Sequence, residues 1–251
     1  MDLAYRATAG AVAALPVIYL ASLYLPVIDA RAWGALMVLL SALAAWSAVR
    51  DARKYGLGTV SKVGLGWILM GAGMFSLFVG EVVWVAYQAA LGVLLPVLSL
   101  ADAFYSLGYL LLLAGSLMYL GFFSGAVSLG RRAAVGLGVL AASVAVAAAL
   151  YPSVMSSGTT LPAGVEELAF AFLSLVLAFS VSLGVLAFMR GRLGRAWVLL
   201  TIAVLLAAAG NVVFTYALVA QQSLAGSLPN VFYGAAYAVA ALGFFVHADQ
   251  F

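Results

Sequence analysis

Hydrophobic positions in this chain form long unbroken runs, and polar residues gather in short clusters between them. A helix that crosses a membrane takes about 20 mostly apolar residues. Charges and Gly/Pro/Ser clusters cut the chain into eight such runs, near 8–28, 32–49, 63–90, 99–123, 133–150, 165–189, 196–219 and 230–248. The runs are continuous and longer than the ~10 alternating residues of a barrel strand, so the expected fold is all-α. The first run has no clear A-x-A site and counts as a helix, with Pro16 inside it, rather than as a signal peptide. The longest connection, 151–164, is Ser/Thr/Pro-rich and is expected to be a loop. No segment outside the spans is long enough to fold alone.

Composition strengthens this pattern and narrows the chemistry. Of 251 residues 67% are hydrophobic and 8% charged, against about 25% charged in a soluble domain. So few charges cannot cover the surface of a soluble globule, and the expected class is a polytopic membrane protein. There is no Cys, which removes disulfides, thiol chemistry and Cys-ligated metals. The single histidine, His247, cannot build a bis-histidine haem or a His-based metal site alone. The only lysines, Lys54 and Lys62, lie in a charged loop rather than inside a helix where retinal would need one. No cofactor is expected.

Charge sets the orientation. Arg50, Arg53, Lys54 and Lys62 fall between spans 2 and 3, Arg131 and Arg132 between 4 and 5, and Arg190, Arg192 and Arg195 between 6 and 7. With Arg6, ten of eleven basic residues lie on one side; Arg31 alone lies opposite, beside Asp29, Glu166 and Glu167. Eight spans in the cell membrane with both termini cytoplasmic satisfy this distribution. Basic residues spread over three short loops do not form a nucleic-acid surface.

The chain repeats itself. Trp67 to Gly80 spans thirteen residues, as does Trp197 to Gly210, and Glu81-Val82-Val83-Trp84 is matched by Asn211-Val212-Val213-Phe214. Asp102-Ala103-Phe104-Tyr105 with Tyr109 and Gly115 is matched by Asn230-Val231-Phe232-Tyr233 with Tyr237 and Gly243. Trp, Tyr, Asn and acids at fixed offsets are hard to obtain by chance. The expectation is a tandem duplication of four helices, 1–130 and 131–251, related by a pseudo-two-fold along the membrane normal.

Both asparagines of the chain, Asn211 and Asn230, fall at the repeat mates of Glu81 and Asp102, while the other six acids are read as loop or terminal. Charged groups inside a membrane are costly and are functional candidates by default. Glu81 is nineteen residues beyond Lys62, about 28 Å of helix, which places it near the outer boundary with Asp102 and Asn230. Those two also suit helix N-caps. Trp84 and Gln88 share a helical stripe with Glu81, and Tyr105 and Tyr109 share one with Asp102. Tyr233 and Tyr237 are their mates. A membrane-edge aromatic belt also collects such rings, but Tyr109 and Tyr237 lie seven residues into their helices, deeper than a belt requires. The ten candidate ligand-binding residues are therefore Glu81, Trp84, Gln88, Asp102, Tyr105, Tyr109, Asn211, Asn230, Tyr233 and Tyr237, around an outward polar-aromatic cleft.

The stretch Trp67…Gly80-Glu81-Val82-Val83-Trp84…Tyr87, followed by Pro96, Ser99, Ala101-Asp102, Phe104-Tyr105 and Tyr109, resembles the N-terminal eight-span membrane sensory regions of some prokaryotic diguanylate cyclases and histidine kinases. The resemblance covers about residues 66–116 and is echoed at 196–243. It implies a sensory input fold, here in a standalone version without a cyclase or kinase domain.

The reading that follows is a non-enzymatic membrane sensor or interaction module for a small or amphipathic ligand. Its expected partners are the lipid bilayer, a signalling protein in the membrane or cytoplasm, and a second copy of itself as a homo-oligomer. A small-solute transporter or channel, or a structural subunit of a membrane complex, is the alternative. Transport would need polar groups at several depths, and the sequence offers them in one outer layer. An intramembrane enzyme finds no Ser–His pairing and no metal-ligand spacing.

Overall fold

The computed structural model describes residues 2–24, 30–55, 61–91, 99–123, 125, 127–156, 161–219 and 228–250. Among them are eight helices: α1 (Asp2–Tyr24), α2 (Ala30–Arg53), α3 (Lys62–Leu91), α4 (Leu100–Phe122), α5 (Leu129–Ser156), α6 (Leu161–Phe188), α7 (Gly194–Val219) and α8 (Leu228–Ala248). All eight are long and apolar enough to cross a membrane, so the chain is an all-helical, multi-pass membrane protein.

Several helices outrun their apolar cores. α2 continues through Arg50 and Asp51 to Arg53, because long basic side chains at a helix end can reach the interface without breaking the backbone ladder. The expected loop at 151–164 is mostly helix. α5 carries Pro152 within its last turns, and Pro162 falls in the first turn of α6, where a missing N–H costs nothing. Ser157 and the rest of 157–160 lie outside the described residues, as do 25–29 and Pro96.

Six helices close a circuit in which each packs on the next: α3 on α4, α4 on α6, α6 on α7, α7 on α8, α8 on α2, and α2 back on α3. α1 leans on α8 from outside, and α5 leans on α6 and α7. Burial agrees: 72% of the α8 span is buried inside the bundle, against 6% of α1 and 11% of α5. α8 is therefore the central element.

Helices in lipid associate through close packing rather than through a hydrophobic drive, and α3 and α4 achieve it with reciprocal glycines. A Cβ on Gly66 would meet the Gly115 carbonyl at 2.9 Å, and one on Gly115 the Gly66 carbonyl at 2.5 Å. One turn-pair further along, a Cβ on Gly73 would meet the Gly108 carbonyl at 2.9 Å, and one on Gly108 the Gly73 carbonyl at 3.1 Å. In α7 and α8 the corresponding positions are Ala196, Ala203, Ala236 and Gly243.

The centre of the circuit is aromatic. Trp67 and Trp197 face each other at 6.1 Å between ring centroids. Tyr119 stacks on Trp197 at 5.4 Å, and His247 stacks on Trp67 at 3.7 Å. Further along α3 and α7, Trp84 meets Phe214 edge-on at 6.3 Å.

Candidate functional site

Glu81 and Asn211 sit at one level of the bundle, each only 8% exposed. Glycine puts them there. The ring of Tyr105 lies across Gly80, and that of Tyr233 lies across Gly210. In each case a Cβ would meet the ring at 2.7, 2.8 and 3.2 Å. The absent side chain lets each tyrosine lie flat on the neighbouring helix and bring its hydroxyl to the residue that follows the glycine.

The hydrogen bonds then cross between the chain's first and second parts. Tyr237 on α8 donates to Glu81 Oε1 on α3 at 2.9 Å. Asn211 Nδ2 on α7 donates to the Tyr109 hydroxyl on α4 at 3.1 Å, and to the Phe170 carbonyl on α6 at 3.3 Å. Within each part, Tyr233 donates to Asn211 Oδ1 at 2.7 Å, and the Tyr105 hydroxyl lies beside the Glu81 carboxyl group. Thr215 donates to the Asn211 carbonyl at 2.9 Å. Phe170 shields the layer, 6.5 Å from Tyr105 and 6.2 Å from Tyr109 between centroids.

Six of the ten candidate residues thus meet in two hydrogen-bonded sets: Glu81 with Tyr105 and Tyr237, and Asn211 with Tyr109 and Tyr233. Asp102 does not join them by a direct bond. Its Oδ2 accepts from the Ser99 backbone N–H at 2.7 Å and from the Ser99 hydroxyl at 2.6 Å, which makes Ser99 the N-cap and Asp102 the third residue of a capping box. Asn230 lies inside the first turn of α8, which begins at Leu228. Trp84 is engaged with Phe214, and Gln88 lies partly buried near the end of α3.

Depth differs from the expectation. Ten residues of α3, about 15 Å of helix, follow Glu81, the last of them Leu91. Its partners Tyr237 and Tyr109 are mid-helix residues of α8 and α4. The layer lies toward the middle of the bundle, because α3, at 30 residues, runs well past the level of its carboxylate.

A second polar level went unread in the sequence. Asp51, taken there for a loop acid among Arg50, Arg53 and Lys54, is 0% exposed within α2. His247 Nδ1 on α8 lies 2.9 Å from its Oδ2 and 3.0 Å from its Oδ1. Lys54 donates to the Ala248 carbonyl, and Arg50 pairs with Asp249 at 3.6 Å. Burial beside Tyr119 and Asp51 pushes the Tyr55 phenol above its usual range, so it serves here as a neutral ring stacked on Trp67. The missed signal was helical spacing: Ala44, Ala48 and Asp51 fall on one buried face of α2. Asp51 ends an apolar stripe rather than starting a loop.

Among the described residues no group of three His, Asp or Glu could hold a metal ion. No protein-family profile, curated protein sequence or solved structure matches this chain.

Proposed function

We propose that the chain is a non-enzymatic membrane sensor or interaction module, built as a tandem 4+4 duplication, whose responsive element is the Glu81–Asn211 layer between the halves. In this reading residues 1–130 and 131–251 form the halves, and both termini face the cytoplasm beside the basic loops. Three features support the duplication. The helix circuit maps onto itself when α2, α3 and α4 exchange with α6, α7 and α8. The Gly80–Tyr105 and Gly210–Tyr233 approaches have the same three distances. Repeat mates meet each other, Trp67 with Trp197 and Trp84 with Phe214, as residues beside a two-fold axis do.

One observation carries the sensor reading: the bonds Tyr237–Glu81 and Asn211–Tyr109 are repeat equivalents, and both cross from one half to the other. A cation or hydrogen-bond donor that enters must take Glu81 from Tyr237, and so loosens α8 from α3. α8 carries His247 ten residues further on, about 15 Å along the helix, where it joins Asp51 and Trp67. A shift at one level is thus passed to the end of the bundle that bears the basic loops. A signalling partner in the membrane or cytoplasm would read it there.

The absence of cysteine makes the test direct. Spin labels at Ser61→Cys and Arg192→Cys report the separation of the halves at the basic end in lipid vesicles. Guanidinium and alkylammonium ions serve as probes. The distance distribution should shift with at least one of them, and Glu81→Gln should abolish the shift. An unresponsive distribution, or an equal response in Glu81→Gln, would remove the proposal.

A second reading is favoured by the Asp51–His247 level, since transport requires polar groups at more than one depth. Proton or cation flux in vesicles that Glu81→Gln stops would replace sensing with transport.

A further inference from the structure

α2 and α3 line a groove. Ala42, Ala45 and Val49 form its floor, Phe75 and Phe78 of α3 form its other wall, and Trp46 stands over it 57% exposed. The groove encloses about 420 Å³, within the range of sites that hold small apolar ligands. Over eleven residues, about 16 Å of helix, it runs from Ala42 to two guanidinium groups, Arg50 and Arg53.

The two arginines differ in how they are held. Arg50 lies 5.9 Å above the Trp46 ring and 4.5 Å above the Phe245 ring of α8, and pairs with Asp249 at 3.6 Å. Those contacts fix its position before any ligand arrives, so ordering it on binding costs little. Arg53 is exposed in the last turn of α2. Asp249 offsets one positive charge, and Asp51 is turned inward to His247. Lys54 adds a further positive charge as it donates to the Ala248 carbonyl. The end of the groove remains positive.

An open apolar groove with guanidinium groups at one end, and an exposed indole beside them, matches one occupant: a molecule with an anionic head and a hydrocarbon tail, entering from the bilayer. We propose that this groove is a specific binding site for an anionic phospholipid, with its phosphate on Arg53 and Arg50 and one acyl chain along Ala42, Ala45 and Phe78. Basic pockets beside membrane helices recognise such headgroups, and a guanidinium can grip two phosphate oxygens at once. The site is separate from the Glu81 layer and does not depend on the function proposed for it. Because α2 also carries Asp51, the lipid would brace the element that holds His247.

The test is lipid retention by the full chain, read by native mass spectrometry after equilibration with phosphatidylglycerol or phosphatidylcholine. Phosphatidylglycerol should be retained in preference. Arg53→Gln should lower that preference about fivefold, and Arg50→Gln with Arg53→Gln should nearly abolish it. Ala42→Leu, which fills the groove and leaves every charge in place, should lower retention of both lipids. Arg190→Gln with Arg192→Gln removes the same charge from another loop and should leave retention unchanged. Equal retention of the two lipids, equal loss in the Arg190/Arg192 variant, or no effect of Ala42→Leu would each overturn the proposal. Displacement of the lipid by glycerol phosphate alone would also overturn it, since the occupant would then be a free phosphate. Arg53 is exposed, so its variant tests the idea even if Arg50→Gln disturbs folding.

Discussion

A buried carboxylate is defined by what donates to it, and Glu81 has phenol donors in place of a cation. Replacement by Gln keeps an acceptor for Tyr237 and should change stability by less than about 1 kcal/mol. Replacement by Leu strands the Tyr237 and Tyr105 hydroxyls, and should cost about 1–3 kcal/mol for each buried group left unpaired. Thermal unfolding in bicelles, compared with the unaltered chain, separates the two outcomes. His247 and Asp51 obey a harsher rule. Removing one member of a buried pair costs about 3–5 kcal/mol, because the other stays behind without compensation. His247→Ala should therefore destabilise strongly, and Asp51→Asn, which retains a hydrogen-bonding group at the same place, should destabilise less in the same assay. Glu81 was visible in the sequence because a lone acid interrupts an apolar run. Asp51 was not, since the charges on either side of it disguise a position that the helix turns inward.

Helix number and span were legible because lipid enforces one pattern, some twenty apolar residues per crossing. Helix ends were less so, since Arg50 and Arg53 extend α2 and Pro152 and Pro162 fit within helical turns. Partner choice was hidden. Periodicity places Tyr237 on a face of α8, but nothing local to either helix says that this face meets Glu81, 156 residues away. The α3–α4 contact yields a prediction at this scale. Gly73→Ala and Gly108→Ala each insert a methyl group against a facing carbonyl, and overpacking of this kind costs about 1–3 kcal/mol. Ala203→Gly and Ala236→Gly, at the matching places in α7 and α8, should cost less than their mirror changes do, because no methyl has to be forced in. Unfolding midpoints for the four variants would test this ordering.

For the whole molecule, cohesion rests on contacts between the two proposed halves: α2 with α8, α4 with α6, and α1 with α8. If these suffice, the chain divided between α4 and α5 should reassemble. Residues 1–127, co-expressed with a tagged 128–251, should copurify with it in mild detergent. Tyr237→Phe combined with His247→Ala removes a bond at each polar level, and should sharply reduce capture while the tagged piece still inserts. Capture unaffected by the pair would show that apolar packing alone joins the halves.

The central place of α8 also sets an order of events during synthesis. Ribosomes deliver helices to the membrane one after another, and α8 follows the other seven. Until it arrives, Glu81 lacks Tyr237 and Asp51 lacks His247. The nascent protein must hold two carboxylates in or near the bilayer without these partners, and it gains both in a single insertion step. α8 therefore acts as a keystone. Ribosome stalling before residue 228 should leave a loosely closed intermediate that membrane proteases and chaperones can distinguish from the finished bundle.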